Sequence, residues 1–141
     1  MNPRRIATVV RIRELQERLA RGEVARQRSV LDKRKHSRDQ AWAVLHQQGI
    51  GNGNAPAFVA QRGMLTAGVG EVEHESSRVQ LAVVEVEEAI DAWRSEAQRL
   101  DGMERLAERI DSETKAELQR REIVETDDLV VSRWGRNGDA P

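Results

Sequence analysis

The sequence predicts an all-α protein in which two long helices fold back on each other as an antiparallel coiled coil, the C-terminal helix overhanging the first. Three observations carry that expectation. Proline occurs only at Pro3, Pro56 and Pro141, so two long stretches lack the residue that most reliably breaks a helix. A 4-3 apolar repeat runs through the second stretch. The composition, 33% charged and 38% hydrophobic with one Phe, three Trp and no Tyr, supplies narrow helical stripes rather than the faces of a layered sheet core.

The first helix is expected over about residues 4–48, with Pro3 in its opening turn. Ile6, Val9, Ile12, Leu15 and Leu19 form its apolar face, and Val30, Leu31, Ala41, Val44 and Leu45 flank the polar run Asp32 to Gln40. Only one stripe of that run can touch a partner helix. Residues 49–56, GIGNGNAP, have the glycine, asparagine and proline density of a helix–helix connection. The second helix follows over about 57–134, with Gly135 as a candidate C-cap and 135–141 as a flexible tail, so 1–134 form one domain.

In helix two, alternating steps of four and three from Leu65 reach Val69, Val72, Ser76, Val79, Val83, Val86, Ile90, Trp93, Ala97 and Leu100. Only Ser76 is polar, which is the pattern of a coiled-coil seam. Gly63, Gly68 and Gly70 each cost about 1 kcal/mol relative to alanine and predict fraying or a kink at the helix start. At Gly102 the repeat slips by one residue and resumes as Met103, Leu106 and Ile110, which predicts a local change of supercoil.

The net charge of −1 hides an asymmetry: residues 1–48 carry 12 basic and 5 acidic groups, and the remainder 11 and 19. Internal matching accounts for this, since an acidic partner helix is available in the same chain. A reversal near Gly53 makes partner numbers sum to about 106, pairing Arg21 with Glu85, Arg18 with Glu88 and Lys35 with Glu71. At 1.5 Å per residue helix one spans about 68 Å and helix two about 115 Å, so about 30 residues overhang. The expected overhang, Gly102 to Trp134, retains Met103, Leu106, Ile110, Leu118, Ile123, Val124, Leu129, Val130 and Val131. Apolar groups on an unpaired helix call for another surface.

Several function classes are disfavoured. With no cysteine there is no disulfide scaffold or thiolate metal site, in keeping with a reducing cytoplasm. No apolar run reaches signal-peptide or membrane-spanning length. His36, His46 and His74 are scattered, and no convergent set of catalytic groups emerges, so no enzyme, cofactor or metal is expected. GIGNGN lacks the preceding strand and following lysine of a phosphate loop. The KRK run at Lys33 to Lys35 has no interleaved aromatics, although Arg4, Arg5, Arg11 and Arg13 with that run keep a nucleic-acid-binding coiled coil as an alternative. Trp93 fills a seam position; Trp134 is a capping contact or an exposed anchor for a partner.

Through Trp93–Arg94, Arg99–Leu100, Leu106 with Arg109, and Asp127–Asp128 before Leu129, the stretch from Asp91 to Trp134 resembles the FliJ family of flagellar type III export proteins. The resemblance runs without gaps over about 40 residues. It implies a non-enzymatic stalk similar to the rotor stalk of rotary ATP synthases, cytoplasmic and held at the inner-membrane export apparatus through its partners. Those partners are the export ATPase, the export gate and export chaperones, with no small-molecule substrate and no nucleic acid. ATPase binding then falls to Leu106, Arg109, Ile110, Asp127, Asp128 and Leu129, and the gate contact to Met64 and Leu65. The chain departs from the family pattern at Met64 to Gly70, where relatives carry a firmer amphipathic helix. The equivalent stalk of a virulence type III secretion system is the alternative within this class.

Overall fold

The structure, a computed structural model, describes residues 2–48 and 55–138. It consists of α1, Pro3–Gln47, and α2, Ala55–Gly138, with 98% of the described residues helical and no strand among them. Asn2 caps α1: its side-chain Oδ1 accepts from the Arg4 backbone N–H at 3.0 Å and its carbonyl from Arg5 and Ile6. That satisfies donors the first turn would otherwise leave bare, with Pro3 placed where no donor is needed. Most of the expected connection, residues 49–54, and the last three residues of the tail lie outside the described residues.

The chain divides into two compact units, Gln16–Ala97 and Met1–Leu15 with Gln98–Pro141. In the first unit the helices run antiparallel, since Glu17 meets Trp93 and Leu45 approaches Gly68. In the second, Pro3, Ile6 and Ala7 share a groove with Ala107, Ile110 and Thr114.

Burial along α1 recurs at Ile6, Val10, Arg13, Glu17, Ala20, Val24, Gln27, Leu31, Arg34, Arg38, Ala41, Leu45 and Gln48, in unbroken steps of four and three. The expected apolar face is therefore corrected. Ile6 is buried, but Val9, Ile12, Leu15 and Leu19 are 37%, 50%, 57% and 67% exposed. Their spacing forms a stripe only over the first five turns. The seven-residue series from Val10 instead reaches Val24, Leu31 and Leu45, and a seam must be sustained along the whole helix to stay against its partner.

The seam of α2 is likewise shifted at every second position. Val72, Glu75, Val79, Ala82, Val86 and Ala89 are buried, and the same three-four rhythm continues through half-buried Trp93, Glu96, Leu100, Met103, Ala107 and Ile110. Val72, Val79, Val86, Trp93 and Leu100 thus stand where the repeat puts them. Val83, Ile90 and Ala97 are half-buried beside the seam, with Ala82, Ala89 and Glu96 in their stead, and Val69 is 46% exposed. α1 comes close to the same side of α2 at Gly68, where an added Cβ would sit 2.9 Å from Leu45 Cδ1. In this phase nothing slips at Gly102, because Leu100, Met103, Ala107 and Ile110 follow the same three-four steps.

Three further expectations change. α2 is continuous through Gly63, Gly68 and Gly70, and runs on to Gly138, so Gly135 is an interior helical position rather than a cap. Partner numbers sum to 110 at Glu17–Trp93 and 113 at Leu45–Gly68, not 106. Arg26 lies within electrostatic reach of Glu85, and Arg21 pairs with Glu17 on its own helix at 2.6 Å. The overhang is shorter than expected. Met103, Leu106 and Ile110 are half-buried, and continuous exposure begins only at Glu117.

Candidate interaction surface

Inside the first unit the seam carries several polar side chains, among them Glu17, which is bonded across to the other helix. Glu17, 6% exposed, accepts at Oε1 from the Trp93 indole N–H at 2.9 Å and from Arg21 Nη2 at 2.6 Å and Nε at 3.1 Å. The indole donor, foremost, and the Arg21 guanidinium hold the Glu17 carboxyl below the usual carboxylate range, against the opposing effect of burial. Six residues on, Arg26 first and Gln27 second hold Glu23 down to about 2. These groups lock α1 to itself and to Trp93, so their role is structural: all acceptor capacity in use faces donors of the same chain.

Other ion pairs run along single helices, as in Glu75–Arg78 at 3.2 Å, Asp111–Lys115 at 2.9 Å and Glu117–Arg121 at 2.6 Å. His36, His46 and His74 are exposed, His46 lying against Trp42 with ring centroids 5.2 Å apart. Among the described residues no group of three His, Asp or Glu side chains could hold a metal ion, and no helix is long and apolar enough to cross a membrane. The KRK run is split, Arg34 lying half-buried in the seam and Lys33 and Lys35 outside it.

The surface with most unpartnered apolar area is the end of α2. Every residue from Glu117 to Gly138 is exposed, including Leu118, Ile123, Val124, Leu129, Val130, Val131 and, at 79%, Trp134. Val130, Arg133, Trp134 and Asn137 line a groove there. Of the residues expected to bind a partner, Arg109, Asp127, Asp128 and Leu129 lie on free surface. Leu106 and Ile110 do not: both are half-buried, and Ile110 lines the groove it shares with Pro3 and Ile6. At the other end of α2, Met64 is exposed with Phe58 and Val59, while Leu65 is half-buried. Val9, Ile12 and Leu15 form an exposed stripe on α1, although their local spacing predicts an apolar packing face. Only the long-range heptad from Val10 signals otherwise.

The comparisons with known proteins agree with this architecture. The sequence model described as Flagellar FliJ protein matches residues 1–139. No curated protein and no solved structure matches the chain. With nearly the whole of both helices covered by that match, the chain belongs to the FliJ family and is associated with the flagellar export apparatus.

Proposed function

We propose that the chain is a non-enzymatic stalk that binds the flagellar export ATPase through the exposed end of α2, and through this binding assists chaperone escort and protein export. The carrying observation is the contrast in burial along α2: a seam packed on α1 as far as Ile110, then exposure of every residue from Glu117 to Gly138, Leu129 and Trp134 among them. A helix without a packing partner gains little stability of its own, so binding supplies what the chain lacks. Asp127, Asp128 and Leu129 are the central contacts, joined by Arg109 on the exposed side of the paired segment. One asymmetric helix in a hexameric ring touches different subunits unequally and so biases assembly or turnover without chemistry of its own. Met64 and Leu65 are the export-gate contact in this reading, and the protein works in the cytoplasm, peripheral to the inner membrane through its partners.

The test is truncation after Ala116, which keeps Ala107, Ile110 and Thr114 under the start of α1. The truncated chain should keep its helical circular dichroism and lose pull-down of the cognate export ATPase. Undiminished capture would move the contact elsewhere on the chain.

A further inference from the structure

The exposed end of α2 is amphipathic in its own right. At 100° per residue, Ala116, Ile123, Val124, Val130, Val131 and Trp134 fall within one arc of about 120°, and on that arc two charges of opposite sign, Arg120 and Asp127, stand seven residues apart. Neither forms an ion pair among the described residues, whereas the neighbouring Arg121 is held by Glu117 at 2.6 Å.

This arrangement is self-complementary in one direction only. When a second copy is laid antiparallel with a two-fold axis between Ile123 and Val124, Arg120 faces Asp127 of the second copy and Asp127 faces its Arg120. In the same register Ile123 meets Ile123 on one flank, Val124 meets Val124 on the other, and Ala116 meets Val130 beyond them. The apolar contacts and both charge pairs are satisfied by one axis, as an isologous interface requires. A parallel pairing sets Arg120 beside Arg120 and Asp127 beside Asp127, which like-charge repulsion opposes.

We infer that the free protein self-associates through this face as an antiparallel dimer. This does not depend on the ATPase reading. It makes the dimer and any complex on the same face mutually exclusive, so the bound partner would be met by monomers.

The test uses the full chain without partners. Sedimentation equilibrium should show a concentration-dependent rise from 15.9 kDa towards twice that mass. Arg120→Asp and Asp127→Arg, each at an exposed position, should raise the dimer dissociation constant about tenfold or more. The double charge swap should restore it, and so should mixing the two single variants, because each then presents the charges the other lacks. As the chain has no cysteine, spin labels on Thr126→Cys report orientation: the two labels should lie close across the axis, whereas labels on Glu113→Cys should be about 30 Å apart along the rod. A monomer at all concentrations, charge variants that dimerise as the parent does, or equal label separations at both positions would each overturn the proposal.

Discussion

The indole N–H of Trp93 donates to the buried carboxylate of Glu17 across 2.9 Å, joining the two helices through 76 residues of sequence separation. Trp93→Phe keeps the ring and deletes the donor, leaving Arg21 as the remaining partner of that oxygen. It should lower the melting temperature measurably, whereas Trp134→Phe, at a 79% exposed site, should leave it unchanged.

Acid should weaken the fold through the same region. Glu17 and Glu23 have folded-state values depressed below the ordinary 4.5, Glu23 to about 2. Their contribution is therefore fully present above pH 4.5 and lost as pH falls towards 2, because protons bind more readily to the unfolded chain. Melting temperature should drop across that window, and less steeply in a Glu17→Gln, Glu23→Gln variant. An unchanged slope would show that other carboxylates carry the acid sensitivity.

The phase of the seam is open to a paired test. Ala82 is 5% exposed and Val83 only half-buried, so Ala82→Leu overpacks the contact and should cost about 1–3 kcal/mol, while Val83→Leu should be near neutral. Chemical denaturation of both measures it. The reverse order would restore the seam through Val83 and Ile90.

Two glycines a single residue-pair apart should respond differently. A Cβ at Gly70 meets open space, so Gly70→Ala should stabilise by about 1 kcal/mol through helix propensity. At Gly68 the same Cβ presses on Leu45 Cδ1. That contact is the far end of a flexible side chain and can turn aside, so Gly68→Ala should gain less than Gly70→Ala without collapsing the fold. Equal gains would mean that α1 and α2 are further apart there.

How much of this was legible beforehand depends on the range of the signal. Proline at positions 3, 56 and 141 and the valines at 72, 79 and 86 specify, residue by residue, two helices and half of a seam, because helix breaking and heptad periodicity are local properties of the chain. The surface of Asp127, Asp128 and Leu129 was also readable, since α1 is too short to cover it. The other half of the seam was not. Choosing Ala82 over Val83, or Glu17 over Leu15 and Leu19, runs against side-chain apolarity. At Glu17 it is settled by a donor on the opposite helix, which Trp93 provides. Register is of the same kind: where α1 stops along α2 is decided by the packing of Ile6 beside Ala107 and Ile110, and that moved Leu106 and Ile110 from free surface into half-buried positions. Composition and periodicity belong to one helix at a time, whereas register belongs to the pair, and only the tertiary structure holds the pair together.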